Sequence, residues 1–162
     1  MRLQVYRYKC GACGDWFEAP EIGELAYGEF LLRSHAGEVR YLNANLDKVF
    51  TEVDDLLGSD PRLCSFDQFQ RADVLNEVFG VACDPDSTGG LFRVAAKPLC
   101  PKCNQCNISE WESTEPPCYV DVDVIEVAHS RWESLSEGEK QNRIREALDS
   151  SPLVWKTEKG QA

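Results

Sequence analysis

The clearest pattern along this chain is a helical repeat of hydrophobic positions that begins near residue 45. Apolar side chains recur at i, i+3, i+4, i+7, i+10 and i+11, which are Leu46, Val49, Phe50, Val53, Leu56 and Leu57. This spacing puts them on one face of an α-helix, for which Asn45 is the predicted N-cap and Gly58 the predicted stop. A second helix is predicted over residues 66–79, with four inward-facing residues, Phe69, Leu75, Val78 and Phe79.

Shorter alternating or β-branched runs predict strands in the rest of the chain. We expect strands at residues 2–9, 91–96, 108–113 and 119–128, and a hairpin formed by residues 26–34 and 39–43. Along 119–128 three valines alternate with two acids, Val120, Asp121, Val122, Asp123 and Val124. The adjacent Val124 and Ile125 break this alternation, which indicates a bulge or a change to burial on both faces.

A third helix is predicted near the C-terminus. Ser136 and Glu139 have the Ser-x-x-Glu spacing of a capping box, in which each residue satisfies a free backbone N–H group of the other. The apolar stripe that follows consists of Ile144, Ala147 and Leu148. Residues 156–162 are predicted to form a loose tail.

Two C-x2-C motifs carry the strongest chemical signal. Cys10 and Cys13 form the first pair, and Cys100 and Cys103 form the second. Four thiolates are the number that a tetrahedral structural zinc site takes. Both pairs follow predicted strands, whereas a redox C-x2-C motif favours a helix N-terminus that lowers the thiol pKa. The sequence therefore predicts one structural Zn²⁺.

The two motifs resemble those of the zinc ribbon, a small β-fold in which two such turns, or knuckles, hold one zinc. The resemblance covers residues 1–18 and 96–113, and 86 residues separate Cys13 from Cys100. It implies that residues 19–95 are an insertion, with a strand and helix at 119–150 completing one domain over 1–162. Cys106 repeats the spacing after Cys103, so it could replace Cys100 or Cys103 as a ligand.

No convergent catalytic set is visible in the sequence. The two histidines, His35 and His129, lie in a predicted turn and at a predicted strand end, without metal-like spacing between them. Asp121 and Asp123 share a strand face, which is typical of a solvated edge. We therefore expect no enzyme activity.

Composition narrows the class of partner. The formal net charge is −11 over 162 residues, and four thiolates with one Zn²⁺ would make it about −13. Such a charge disfavours binding to a phosphate backbone and favours a basic partner. It also keeps a protein soluble without any partner. Since the sequence shows neither a signal peptide nor an apolar run of membrane-spanning length, a cytoplasmic protein with reduced thiols is expected.

The acids concentrate in one segment of the chain. Nine acids and one base, Arg131, occur between residues 107 and 139. Tryptophans among carboxylates are typical of an interface for a basic protein. The predicted partner-binding residues are Glu110, Trp111, Glu112, Asp121, Asp123, Glu126 and Trp132. The alternative interpretation is that the tryptophans belong to the core and the acids are merely solvated.

The sequence thus predicts an α+β fold, with an antiparallel sheet, a four-cysteine zinc ribbon and about three helices. The favoured function is binding and blocking a basic macromolecule, such as a nuclease-type toxin or a defence protein. Immunity proteins and anti-defence inhibitors are comparable in size and charge, and no shared motif supports that analogy. The alternative is a nucleic-acid-associated ribbon that uses the basic residues Arg2, Arg7, Lys9, Lys97 and Lys102.

Overall fold

Two antiparallel sheets and a layer of helices make up the α+β fold of the computed structural model, which describes residues 1–23 and 26–154. The strands are β1 (Arg2–Cys10), β2 (Trp16–Glu21), β3 (Glu29–Ser34), β4 (Val39–Asn43), β5 (Phe92–Val94), β6 (Ile108–Ser113) and β7 (Tyr119–Asp121). The helices include α1 (Lys48–Gly58), α2 (Gln68–Val78), the one-turn α3 (Ser130–Glu133) and α4 (Glu137–Ser150). The predicted fold class is confirmed, whereas the predicted tail at 156–162 lies outside the described residues.

The first sheet, which we call the ribbon sheet, is built around β1. Strand β2 pairs with one edge of β1, while β6 and β7 share the other edge. Strand β6 lies along Tyr6–Cys10, and β7 lies along Arg2–Gln4. The return of the chain from the second cysteine pair therefore runs along the whole of β1.

The second sheet, which we call the core sheet, has the order β4-β3-β5 and packs against α1, α2 and α4. One face of each helix supplies its core, for example Val49, Val53 and Leu57 on α1. The buried side chains of β1, including Tyr6 and Tyr8, lie outside this core cluster. The ribbon sheet consequently depends on its own small set of buried residues and on whatever closes its cysteine end.

The ends of two helices differ from the sequence prediction. Helix α1 begins at Lys48 because the Asp47 side chain accepts the Phe50 N–H at 2.8 Å, so Asn45 is not the cap. Leu46 thus precedes the helix and is 79% exposed. On α2, Phe69 is 72% exposed, because the buried positions are Val74, Leu75 and Val78. The capping box of Ser136 and Glu139 is confirmed.

The predicted long strand at residues 119–128 is wrong beyond Asp121. The chain leaves the ribbon sheet after Val122, whose backbone N–H donates to Met1 O at 2.9 Å, and it joins the edge of β4 at Ile125. There Tyr41 N–H donates to Ile125 O at 2.9 Å. The break in the valine pattern therefore marks a change of sheet rather than a bulge. We call residues 121–127 the crossing segment.

Arg33 forms a second connection between the sheets. Its side chain is 7% exposed, and its guanidinium donates to Glu21 Oε2 at 2.9 Å, Ala96 O at 2.6 Å and Pro20 O at 3.0 Å. It thereby ties β3 to β2 and to the chain that leads into the second cysteine pair. A buried charge that loses its partner is costly, so this contact constrains how the two sheets pack.

We expect Arg33→Met to lower the free energy of unfolding by about 2 kcal/mol, because Glu21 and two carbonyl groups lose their donor. The loss is below that for a fully buried pair, since Glu21 keeps 25% of its side chain exposed. Arg93→Met is the matched control: Arg93 lies opposite Arg33 in the sheet, but its ion pair with Glu77 is on the surface. Urea denaturation of both variants checks this, and equal losses would contradict it.

The described part of the chain contains no helix that is both long and apolar enough to cross a membrane.

Candidate metal centre and binding surface

The two C-x2-C motifs fold into equivalent knuckles. In the first, the backbone N–H of Gly14 donates to Cys10 O at 2.9 Å, and in the second, the N–H of Asn104 donates to Cys100 O at 2.8 Å. Gly14 and Asn104 both have a left-handed backbone, with φ of 78° and 57°. Glycine and asparagine are the residues that adopt this conformation most easily.

The knuckles bring four thiols together. Cys10 Sγ lies 3.5 Å from Cys103 Sγ, and Cys13 Sγ lies 3.7 Å from Cys100 Sγ. All four sulfur atoms are within 4.8 Å of one another. Cys10 and Cys100 are buried, whereas Cys103 is half-buried and Cys13 is exposed. The predicted cysteine set is thus gathered at one point and could bind a metal ion, consistent with a zinc-ribbon-like site.

Electrostatics favour a cation among these thiols. Hydrogen bonds from the backbone N–H groups of Cys13 and Ala12 outweigh desolvation and lower the pKa of the Cys10 thiol to about 7. The backbone N–H of Gln105 also favours the Cys103 thiolate, but desolvation and the three neighbouring thiols raise its pKa to about 12. Four thiolates this close together are stable only with a positive charge between them.

Contacts around the knuckles fix their relative position. The Lys102 ammonium of the second knuckle pairs with Asp15 beside the first at 2.6 Å. The backbone N–H of Gly11 donates to Asn107 O at 2.7 Å, which joins the first knuckle to the chain entering β6. Cys106 lies in that return, is exposed and is not part of the sulfur cluster. Cys100 and Cys103 are therefore the second pair.

The chain matches no protein-family model, no curated protein and no solved structure. Its functional interpretation consequently depends on the site geometry alone.

Two of the predicted partner-binding acids are neutralised within the ribbon sheet. Glu110 Oε1 lies 2.7 Å from Lys9 Nζ, and Glu112 Oε1 lies 2.9 Å from Arg7 Nη1. Both pairs are cross-strand neighbours between β1 and β6. Their charges compensate one another on an exposed face, so neither the acids nor the bases there present an isolated charge.

The two tryptophans lie in different environments. Trp111 is 52% exposed, packs edge-on against Tyr6 with ring centroids 5.6 Å apart, and has Lys97 over its ring. Trp132 is 1% exposed and its Nε1–H donates to Glu52 Oε2 at 2.8 Å. The prediction that Trp132 binds a partner is wrong, because the indole is part of the helical core.

The crossing segment carries three exposed acids. Asp121, Asp123 and Glu126 are all exposed, and none makes an ion pair with any residue in 1–23 or 26–154. Glu126 also lies beside Tyr41, whose pKa is raised by burial first and by nearby carboxylates second. The segment therefore presents three exposed carboxylates that form no ion pair with the described residues. Two cations lie near them: Arg2 is opposite Asp121 in the ribbon sheet, and the Met1 ammonium donates to Val122 O at 2.7 Å.

Two further reactive side chains, His129 and Cys83, have structural contacts. His129 Nδ1 lies 2.6 Å from Ala82 O and its Nε2 lies 3.1 Å from Asp47 Oδ2, so both ring nitrogens face acceptors. Burial, with Asp47 and Asp84 nearby, raises the pKa of the Cys83 thiol to about 12. A thiol with that pKa is a poor nucleophile. Sequence patterns gave no sign of this His129–Asp47 contact, since 82 residues separate the two.

Proposed function

We propose that this protein binds a basic protein partner through the carboxylates of the crossing segment and blocks that partner without turnover. The observation that carries the proposal is the contrast between the acids of β6 and those of the crossing segment. Glu110 and Glu112 are paired with cations, while Asp121, Asp123 and Glu126 have no compensating ion pair among the described residues. Unpaired exposed carboxylates attract lysine and arginine and accelerate association.

We also propose that the four cysteines hold one structural Zn²⁺. With Zn–S bonds of about 2.3 Å, the sulfur atoms of a regular tetrahedron lie about 3.8 Å apart. Two of the distances between these sulfur atoms, 3.5 and 3.7 Å, are near that spacing. A closed set of four thiolates leaves no position for substrate, which favours a structural over a catalytic role.

The partner fits the description of a nuclease-type toxin or a defence protein. Nucleases hold phosphates with clustered lysine and arginine, and a row of carboxylates presents similar charge to those groups. Binding of this kind occludes the partner's active site and requires no catalytic residues in the inhibitor. Such a partner also fits the cytoplasmic location expected from the sequence.

Charge reversal tests the proposal. The partner is first isolated by affinity capture from the source cells and purified, and its association kinetics are then measured at several salt concentrations. We expect Asp121→Lys with Asp123→Lys to slow association about tenfold at low salt, because rim charges act mainly on the on-rate.

The control is Asp55→Lys with Glu146→Lys, which makes the same charge change at exposed positions of α1 and α4. Circular dichroism confirms that each variant is folded. If both double variants slow association equally, only net charge matters; if neither has an effect, the crossing segment does not form the interface. Either result would contradict the proposal that the crossing segment forms the binding surface.

Binding to nucleic acid is the alternative function, and the contacts of the ribbon sheet argue against it. Arg7, Lys9 and Lys102 are engaged with carboxylates at 2.6–2.9 Å. We therefore expect affinities weaker than about 100 µM for generic DNA or RNA at physiological salt. Fluorescence anisotropy across a salt series measures this. Submicromolar binding that falls steeply with salt would establish the ribbon as a nucleic-acid reader.

A further inference from the structure

An apolar groove lies between the two sheets, directly beside the crossing segment. Its volume is about 410 Å³. The deepest lining residues are Leu3 of β1 and Leu31 of β3, which are 2% and 1% exposed. Apolar grooves of this size with a few polar groups at the edge are typical of ligand and peptide sites.

The crossing segment forms one wall of this groove. Val122 and Val124 line it, and Asp123 lies between them in the same wall. The segment is held at both ends by backbone hydrogen bonds, to Met1 at the ribbon sheet and to Tyr41 at the core sheet. The wall is thus anchored on both sides of the groove while its own middle residues pair with neither sheet.

The groove wall carries an exposed carboxylate, Asp123, and the Met1 ammonium also contacts this wall, donating to Val122 O at 2.7 Å. Among the described residues that line the groove, the one cation is Arg33, which is 7% exposed and donates to Glu21, Ala96 and Pro20. Asp123 is exposed in the groove wall, and Asp121 is exposed two residues earlier. An apolar cavity therefore adjoins exposed carboxylates that form no ion pair with the described residues.

We infer that the groove receives one apolar side chain, such as leucine or phenylalanine, from a basic segment of the partner. Lysine or arginine on either side of that residue would pair with Asp121 and Asp123. A buried apolar anchor surrounded by charge pairs is the common arrangement of tight protein interfaces. This inference rests on the proposed function. Because Trp132 is buried and cannot act as an apolar anchor on this protein, the anchor is assigned to the partner.

Two synthetic peptides test the inference on the full chain. One has the sequence Gly-Lys-Lys-Leu-Lys-Lys-Gly and the other has serine in place of leucine, so that both carry the same charge. We expect the leucine peptide to bind about tenfold more tightly by calorimetry, because only it can bury apolar surface. In ¹⁵N correlation spectra it should shift the amides of Gly37, Leu99, Val122, Asp123 and Val124.

Filling the groove provides the matching variant. Ala19 is half-buried and lines the groove, whereas Ala72 is exposed on α2. We expect Ala19→Phe to lower the affinity of the leucine peptide to that of the serine peptide. Ala72→Phe should leave both affinities unchanged. Should Ala19→Phe fail to fold, the amide shifts of the unmodified protein still decide the question.

The outcomes separate the groove from the wider proposal. If the two peptides bind equally and Asp121→Lys with Asp123→Lys weakens both, the groove is not an anchor site. The carboxylates of the crossing segment would then still form the binding surface. Peptide shifts confined to regions away from residues 122–124 would also overturn the groove. If charge reversal changes the binding of neither peptide, the proposal that the carboxylates of the crossing segment bind a basic partner is contradicted as well.

Discussion

Replacing Cys10 with serine is expected to abolish stoichiometric zinc binding and to destabilise the whole ribbon sheet. Cys10 is buried at the end of β1 and lies in the sulfur cluster with Cys103. Binding energy at a structural zinc site is largely folding energy, so we expect a loss of at least about 4 kcal/mol in the free energy of unfolding. Elemental analysis and chemical denaturation measure the two effects on protein purified without added metal.

Cys106→Ser is the matched control for this experiment. Cys106 is exposed three residues beyond Cys103 and lies outside the cluster. We expect this variant to retain one zinc per chain and nearly full stability. A loss of metal in Cys106→Ser, with retention in Cys10→Ser, would contradict the assignment of the ligands.

Trp132→Ala is expected to cost 3–5 kcal/mol of unfolding free energy, because truncation leaves a large cavity in the helical core. It also removes the indole N–H that Glu52 accepts at 2.8 Å. Trp111→Ala supplies the comparison, since the same change at a half-exposed indole should cost only about 1 kcal/mol. Thermal and urea unfolding of the two variants measure the difference.

The two variants also separate core from interface. Since Trp132 is 1% exposed, partner affinity measured on the folded fraction of Trp132→Ala should stay unchanged. Similar stability losses in the two variants would contradict the burial described for Trp132. If fully folded Trp132→Ala binds the partner more weakly, Trp132 contributes to the binding surface after all.

The four-cysteine cluster could be predicted from the sequence because C-x2-C spacing is local chemistry. Each knuckle is a turn of a few residues, and the cysteines that it presents can be identified without knowledge of the remaining fold. The choice between Cys103 and Cys106 could not be made in this way, since an asparagine follows each of them. It depends on how the chain returns to pair Cys10 with Ile108, which is a long-range contact.

The course of residues 119–128 could not be predicted for a similar reason. Alternating valines indicate a strand, but they do not indicate which sheet pairs with each half. The segment pairs with β1 at Asp121 and with β4 at Glu126, elements that are far apart in sequence. Leu46 and Phe69 likewise fit a helical apolar pattern, yet helix capping and packing leave them exposed.

The four-cysteine cluster and the proposed binding surface are linked through β1. The knuckles hold the start of the return path, from which β6 and then β7 run along β1 to the crossing segment. A metal that fixes the cysteine end therefore helps to fix the position of Asp121 at the other end. Metal removal is accordingly expected to disturb the acidic surface even though no cysteine belongs to it.

X-ray absorption at the zinc edge, recorded on protein purified without added metal, tests the four-cysteine centre most directly. The expected spectrum has a single shell of four sulfur atoms at about 2.3 Å from zinc. Absence of zinc from a folded protein, or a shell with nitrogen or oxygen in place of sulfur, would contradict a centre formed by Cys10, Cys13, Cys100 and Cys103.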